Sequence, residues 1–236
     1  MINTILFDLD GTILPMDIDK FMYTYFNEMG VMFKDLIPQD KLIKYIMECT
    51  ELMVKNIDNV SNKEVFVGRF EQLIGGDIND YLNRFDEFYD TLFQNVQTAT
   101  GRNELIIKSV LLLKEKGYQI VLATNPLFPM KANHHRIRWA GLSPEDFSYI
   151  SCYETNKYCK PNIEYYQEVL DEIDKSPKEC MMVGNDAVED MAAGKLGLKT
   201  YLISEHMINK NNIEVVADYI GDYNEFYNFV KSLIKL

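Results

Sequence analysis

The sequence predicts an α/β protein in which a doubly wound parallel sheet carries an inserted all-helical domain. From Gly101 onward, short apolar strands alternate with helical segments, which is the pattern of parallel βαβ units. A strand also opens the chain, but a long stretch with few strand signals separates it from its partners. We therefore expect one discontinuous α/β domain, residues 1–14 and 98–236, and one helical domain, residues 15–97.

The individual elements follow from the spacing of apolar residues. The first strand is the apolar run that ends at Phe7, and the inserted region then changes to helical spacing. There, Phe21 and Tyr25 share one helical face, and Ile46 and Met53 belong to another. Beyond residue 100 we predict strands near 118–123, 149–151, 180–183 and 200–203, and helices over 104–116, 130–140, 163–173, 188–196 and 224–234.

The charge of the chain limits the partners that it can bind. Asp and Glu outnumber Lys and Arg by 36 to 24, which gives a formal net charge of −12. Nucleic acid and anionic membrane surfaces attract basic protein surface, so we expect neither as a partner. Hydrophobic residues make up 47% of the chain, which is ample for a core. No apolar run approaches the roughly 18 residues that a membrane-spanning helix needs.

The cysteines indicate a reducing compartment. Cys49, Cys152, Cys159 and Cys180 form no CxxC pair, so neither a zinc site nor a disulfide framework is indicated. A core strand, rather than a basic and apolar leader, opens the chain. We expect a soluble cytoplasmic protein with reduced thiols. Its oligomeric state is left open, and a monomer is compatible with the sequence.

The first strand ends in two carboxylates, Asp8 and Asp10. Side chains two positions apart on a strand point to the same face, so the two carboxylates should emerge together. Gly11 then lets the backbone turn. Close carboxylates repel each other, and such a pair persists if a cation lies between them or if one stays protonated. A short Asp-x-Asp alone could merely cap a helix, but its place after a buried strand and before Gly11-Thr12 favours a chemical site.

Three later segments place polar side chains at or near the ends of predicted strands. Thr124-Asn125 follows one strand, Lys160 precedes a helix, and Asp186 and Asp190 follow another strand at helical i, i+4 spacing. Ligands of parallel sheets bind outside the carboxyl ends of the strands. Each segment alone has an ordinary explanation as a turn, a solvated lysine or a helix cap. Their shared location favours one common site.

In this order, the segments resemble the four motifs of the haloacid dehalogenase superfamily of phosphotransferases. Phe7-Asp8-Leu9-Asp10-Gly11-Thr12 looks like the first motif, the strand ending in Thr124 like the second, Lys160-Pro161 like the third, and the segment from Val183 to Asp190 like the fourth. Asn185 stands where relatives commonly have an acid, so a metal-binding role for Asn185 or Asp190 beside Asp186 stays open. The insert resembles the helical C1-type cap of subfamily I.

The resemblance implies Mg²⁺-dependent hydrolysis of a phosphomonoester through an aspartyl phosphate. Asp8 would attack phosphorus, and Asp10 would protonate the leaving oxygen and later activate water. Mg²⁺ would be held by the Asp8 carboxylate, the Asp10 backbone carbonyl and Asp186, with Asp190 as a supporting acid. The catalytic set is completed by Thr124 and Lys160, and the phosphate would be bound by Gly11, Thr12, Thr124, Asn125 and Lys160.

Other functions remain open on the same scaffold. A phosphomutase would use the same residues with a cap that retains the intermediate, and a catalytically silent binding protein would keep the fold alone. Dehalogenation is disfavoured because a departing halide needs no acid such as Asp10. We expect a small phosphorylated metabolite as substrate, with cap-side positions such as Asp17 affecting its selection. Arg136 and Arg138 are interpreted as part of a solvated or core-edge helix face.

Overall fold

A six-stranded parallel sheet forms the centre of the α/β part of the protein. The computed structural model describes residues 1–210 and 212–236. The strands are β1 Thr4–Phe7, β2 Gln119–Leu122, β3 Tyr149–Ile150, β4 Cys180–Gly184, β5 Lys199–Ile203 and β6 Tyr219–Gly221. Their order in the sheet is β3-β2-β1-β4-β5-β6, and all neighbouring strands pair in parallel. β1 lies between β2 and β4, where the strand order reverses direction.

Helices cover both faces of this sheet. Ile5 and Phe7 of β1 point into one apolar layer, and Leu6 points into the opposite layer, as the two-residue period of a strand requires. The helices are α5 Glu104–Glu115, α6 Met130–Ala140, α7 Ile163–Glu172 and α8 Tyr223–Ser232. The first layer includes residues of α5 and α8, and the second includes residues of α7. The prediction of a doubly wound α/β sheet is confirmed.

The helix predicted over 188–196 is shorter in the structure, and a strand was missed. A 3₁₀ helix occupies only Met191–Leu196. The preceding residues form a turn because the Asp186 carboxylate accepts hydrogen bonds from the N–H groups of Val188 and Glu189. The missed strand is β6, in which Tyr219 and Ile220 are exposed. Such a short edge strand lacks the buried apolar run that identifies a central strand.

Helices occupy most of the region between β1 and α5. They are α1 Ile18–Phe33, α2 Gln39–Lys55, α3 Asn62–Ile74 and α4 Asn79–Asp90, followed by a 3₁₀ helix at Leu92–Ala99. Buried aromatic side chains pack edge to face among them, including Tyr25 against Phe88 and Phe93. Such contacts stabilise the helices through apolar burial and through the electrostatics of the rings. In the described part of the chain, no helix is long and apolar enough to cross a membrane.

The two chain segments that connect these helices to the sheet lie side by side. Met16 and Thr100 form an antiparallel bridge. The N–H of Asp17 donates to the carbonyl of Ala99 at 3.0 Å, and the N–H of Gly101 donates to the carbonyl of Pro15 at 2.7 Å. The entry and exit of the helical region are therefore joined directly, which places both near the end of the β1 loop, residues 8–14.

Candidate active site

Asp8 lies at the carboxyl end of β1, at the point where the strand order reverses. Its N–H donates to the carbonyl of Val183 at 2.9 Å, which extends the pairing with β4 by one residue. The side chain is nearly buried, with 8% of the residue exposed. Crevices at such reversal points bind ligands in open α/β sheets, so β1 presents Asp8 where a substrate can reach it.

Lys160 is the central cation of the site. It is 1% exposed, and its Nζ donates to Asp8 Oδ1 at 2.8 Å and to Asp190 Oδ1 at 2.6 Å. Burial opposes the charge of Lys160, but the Asp190 and Asp8 carboxylates raise its pKa well above the ordinary value. The pKa of Asp8 is raised to about 8, chiefly by burial and also by the Asp190 and Asp10 carboxylates, against the opposing effect of Lys160. One lysine is therefore shared by two buried acids.

Asp190, rather than Asp186, contacts Lys160. The second oxygen of Asp190 accepts a hydrogen bond from the N–H of Asp186 at 2.9 Å. A Cβ at Gly184 would lie 2.2 Å from the Asp190 carboxyl group, so glycine allows this close approach. Asp186 Oδ1 instead accepts from the N–H groups of Val188 at 2.7 Å and Glu189 at 2.8 Å. The two acids of the fourth motif thus have different partners.

Asn185 holds two loops together. Its Oδ1 accepts a hydrogen bond from the Thr12 hydroxyl at 3.0 Å, and its Nδ2 donates to the carbonyl of His206 at 2.7 Å. It is 2% exposed. A Cβ at Gly11, whose φ is +82°, would lie 2.3 Å from the Asn185 amide nitrogen. The Asn185 side chain therefore positions the loop that follows β1.

The β1 loop uses two of its own N–H groups internally. Gly11 N–H donates to the carbonyl of Leu14 at 2.8 Å, and Thr12 N–H donates to the carbonyl of Leu9 at 3.2 Å. The expected phosphate contacts of Gly11 and Thr12 are therefore not available through these groups in this arrangement. The N–H groups of Leu9 and Asp10, which come directly after Asp8, take no part in these two hydrogen bonds.

Thr124 and Asn125 lie at the end of β2, next to the site. The Thr124 carbonyl accepts from the Ser151 hydroxyl at 2.6 Å, which joins the ends of β2 and β3. Asn125 Nδ2 donates to Glu189 at 3.0 Å, and its Oδ1 accepts from the N–H of Lys160 at 3.3 Å. Asn125 thereby fixes the backbone of Lys160 beside Asp8. The residues expected from all four motifs lie at this one edge of the sheet.

Arg136 joins this site although we interpreted it as part of a solvated or core-edge helix face. It is completely buried, and its guanidinium donates to Asp10 Oδ2 and to Asn133 Oδ1. The Phe128 ring lies 4.2 Å from the guanidinium carbon. Asp10 Oδ1 and Arg136 Nε are buried atoms without a hydrogen-bond partner among the described residues. The earlier interpretation of Arg136 is wrong, because Asp10 supplies the counter-charge that a buried arginine needs.

A signal for this burial exists in the sequence of α6. Arg136 lies four positions from both Ala132 and Ala140, and those small residues share its helical face. Ala132, Ile137 and Ala140 are all buried, so the face of α6 that carries Arg136 packs inward. Arg138, two positions away, is exposed. The position of each arginine around the helix axis therefore distinguishes the buried Arg136 from the exposed Arg138, whereas composition alone does not.

An apolar cavity of about 490 Å³ lies between the helical region and the turn after Asn125. Leu127 on this turn lines the cavity and donates its N–H to the Asn125 carbonyl at 2.8 Å, whereas Asp8, Asp10 and Lys160 are not among the lining residues. Asp17 is not among the lining residues, since its exposed carboxylate caps α1 through the N–H of Lys20. The lining residues include Met22, Tyr25, Phe26, Ile46, Thr50, Phe66, Leu82, Phe85, Tyr89, Leu127, Phe128 and Tyr153.

The oxygen donors at the site fit Mg²⁺. Among the described residues, no three His, Cys, Asp or Glu side chains form a ready-made ion cage. Mg²⁺ does not need one, because it binds through one or two carboxylates together with waters and substrate phosphate. Asp8 supplies a carboxylate whose pKa burial raises to about 8. A further cation would favour its ionised form, so both the charge and the donor chemistry suit this metal.

Comparison with known proteins identifies the family. A model described as haloacid dehalogenase-like hydrolase matches residues 2–197, and the chain belongs to this family of hydrolases. The pyrophosphatase PpaX of Bacillus mycoides (strain KBAB4) is 25% identical over 224 residues, which cover 94% of this chain and 93% of that protein. The family prediction made from the four motifs is confirmed.

Solved structures share the fold over nearly the whole chain. The HAD phosphatase from Thermococcus onnurineus has a TM-score of 0.61 and 18% identity, with 100% of both chains covered. The putative HAD-hydrolase YfnB from Bacillus subtilis, solved bound to magnesium, has a TM-score of 0.59 and 19% identity, with 98% of this chain and 99% of that chain covered. At this identity, the likeness establishes a common fold.

Proposed function

We propose that this hydrolase removes phosphate from small phosphorylated metabolites through an aspartyl-phosphate intermediate, with Mg²⁺ as cofactor. The observation that carries the proposal is the buried Asp8–Lys160–Asp190 cluster at the carboxyl edge of the sheet, with Asp10 beside it. A nucleophilic carboxylate, a fixed cation and a second acid are the groups that such a reaction requires.

The reaction proceeds in two displacements at phosphorus. Asp8 attacks phosphorus, the bond to the ester oxygen breaks, and Asp10 gives that oxygen a proton. Asp10 then takes a proton from water as the water oxygen attacks phosphorus and the bond to Asp8 breaks. Lys160 stays protonated throughout, because Asp190 and Asp8 raise its pKa, and its charge stabilises the phosphoryl oxygens.

Phosphoryl oxygens also need donors from the protein. The N–H groups of Leu9 and Asp10 fill this role, with the Thr124 hydroxyl at the neighbouring strand end. Mg²⁺ would be held by the Asp8 carboxylate, the Asp10 backbone carbonyl and the Asp186 carboxylate. The metal would supply positive charge for the phosphoryl group. Asn125 then acts by fixing Lys160, as its hydrogen bond to the lysine backbone supports.

The helical region, residues 15–97, acts as a C1-type cap over the α/β domain formed by residues 1–14 and 98–236. Its two connections lie side by side, which suits a hinge between the two parts. The cavity of about 490 Å³ is large enough for a metabolite. A closed cap excludes macromolecules, and the net charge of −12 repels polyanions. The four cysteines are free and buried, which fits a cytoplasmic location.

Steady-state assays with and without metal test this proposal. Release of inorganic phosphate is measured from p-nitrophenyl phosphate, a panel of phosphorylated metabolites and inorganic pyrophosphate, the last because a relative is named pyrophosphatase. We expect EDTA to abolish turnover of phosphomonoesters and Mg²⁺ to restore it. Full turnover in metal-free buffer contradicts the metal assignment. Transfer of phosphate to a second metabolite without its release would instead favour a mutase.

A further inference from the structure

We propose that Arg136 is a positioning residue that holds Asp10 by one oxygen, Oδ2, and so leaves Oδ1 as the atom that carries the transferred proton. This inference rests on the proposed function, since it assigns geometry to the acid–base step. The salt bridge with Arg136 holds Oδ2 of Asp10. Oδ1 of the same carboxyl group is buried and has no hydrogen-bond partner among the described residues.

The guanidinium is held from several directions. One terminal nitrogen donates to Asp10 and the other to Asn133 Oδ1, while the Phe128 ring lies against its face. Asn133 is itself fixed, because its Nδ2 donates to the carbonyl of Ser151 at 2.8 Å. A planar group with two bonded ends and a packed face has one orientation. Arg136 can therefore fix the rotation of the Asp10 carboxyl group.

This network also joins the acid to the other strand ends. Ser151, whose carbonyl anchors Asn133, donates its hydroxyl to the carbonyl of Thr124 at the end of β2. The path Asp10–Arg136–Asn133–Ser151–Thr124 thus connects the loops after β1, β2 and β3. A carboxyl group mounted on such a path keeps its free oxygen in one place. Proton transfer depends on that placement, because the acid must lie within hydrogen-bond reach of the leaving oxygen.

Oδ1 takes part in both half-reactions, first as proton donor and then as proton acceptor. In the first, the proton leaves Oδ1 for the ester oxygen as the phosphorus–oxygen bond breaks. In the second, Oδ1 accepts a proton from the attacking water as the bond between phosphorus and Asp8 breaks. The Oδ2 bond to Arg136 stays in place during both steps. Arg136 contacts neither substrate nor phosphorus and acts only through Asp10.

The test compares Arg136→Met with Arg138→Met, which removes an exposed arginine two residues away on the same helix. The measurement is kcat/KM for p-nitrophenyl phosphate, whose leaving group needs little protonation, and for a simple alkyl phosphate, whose leaving group needs a proton. We expect Arg136→Met to lower the alkyl value by about 10²-fold or more, within the range of general acid–base catalysis, and the p-nitrophenyl value by less than about tenfold. Arg138→Met should leave both values unchanged.

Equal losses for the two substrates would overturn the proposal, because a disturbed fold or a displaced Asp8 affects both alike. A second measurement adds Arg136→Met to Asp10→Asn. If Arg136 acts through Asp10, the double variant is no slower on the alkyl phosphate than Asp10→Asn alone. A further loss contradicts this dependence.

Arg136→Lys keeps the positive charge but cannot form the same planar contacts, so it should recover part of the alkyl phosphate rate. This variant replaces Arg136→Met in the comparison if the methionine variant does not fold. A wild-type protein without phosphatase turnover would overturn both this inference and the proposed function.

Discussion

At the scale of single residues, Asp8 is distinguished by being both the expected nucleophile and a buried acid. Asp8→Asn keeps the shape of the side chain but replaces a carboxylate with a poor nucleophile. We expect phosphatase turnover to fall to background, while the protein stays folded. Burial already disfavours the ionised carboxyl group of Asp8, and Lys160 keeps Asp190 as a counter-charge in the variant, so the fold should persist.

Turnover of p-nitrophenyl phosphate and thermal unfolding of the same sample test the Asp8→Asn variant. Asp19→Asn, at an exposed position of α1, is the matched control and should retain wild-type activity. Near-normal turnover by Asp8→Asn would show that another residue attacks phosphorus. A collapse of the melting temperature would show instead that Asp8 contributes mainly to structure.

The sequence predicts that Asp8, Thr124 and Lys160 lie at one sheet edge, because strand polarity alone determines where their segments end. It could not decide which acid of the fourth motif faces Lys160. That depends on the turn after β4, where backbone N–H groups bind Asp186 and leave Asp190 for the lysine. Nor could it pair Arg136 with Asp10, since that contact spans 126 positions and requires the packing of α6.

Among the elements, the helices with regular apolar spacing and the buried strands were predictable, whereas an exposed edge strand and a short 3₁₀ helix were not. The helices α5 and α6 have the boundaries that their apolar spacing predicts, within one residue. The strand β6 and the 3₁₀ helix at Leu92–Ala99 lack that periodicity over a sufficient length. Their conformation is stabilised by neighbours, through pairing with β5 and packing against α1, which are tertiary contacts.

Several helices and one turn form the wall of the cavity. Thr50 on α2 lines it, whereas the adjacent Glu51 faces solvent. We expect Thr50→Trp to fill part of the cavity and to raise KM for bulky aromatic phosphomonoesters about tenfold or more. The value for acetyl-phosphate-sized substrates should change little, because a steric loss of about 1.4 kcal/mol applies only to a ligand that needs the space.

The matched variant for this experiment is Glu51→Trp, which places the same side chain on the outer surface of α2. It should leave the preference between large and small substrates unchanged, and thermal unfolding should be compared for both variants. A Thr50→Trp enzyme with unaltered preference would contradict the assignment of the cavity to the substrate. In that case the apolar space would serve only the packing of the helical region.

At the scale of the whole molecule, the free cysteines link the interior to the pH dependence of stability. Burial raises the pKa of Cys152 to about 11 and those of Cys49, Cys159 and Cys180 to about 12, from an ordinary value of 9.0. These residues lie in both the helical region and the sheet, so the thiols sample both parts of the protein. These thiols therefore stay protonated at alkaline pH only while the interiors of both parts remain folded.

The raised values predict a loss of stability at alkaline pH. Thiols of the unfolded chain ionise near pH 9, whereas those of the folded chain stay protonated until about pH 11 or 12. The stabilisation is complete below pH 9 and is lost as pH rises, because the unfolded state then binds fewer protons. Once the unfolded thiols are ionised, each should lower the free energy of unfolding by about 1.4 kcal/mol per pH unit. Urea unfolding at pH 8, 9 and 10 measures the onset of this loss, which steepens as the unfolded thiols ionise, and Cys49→Ala should reduce it by the share of one thiol. A free energy of unfolding that stays constant from pH 8 to 10, or thiols that react rapidly with a thiol reagent in the folded protein, would contradict the burial on which this prediction rests.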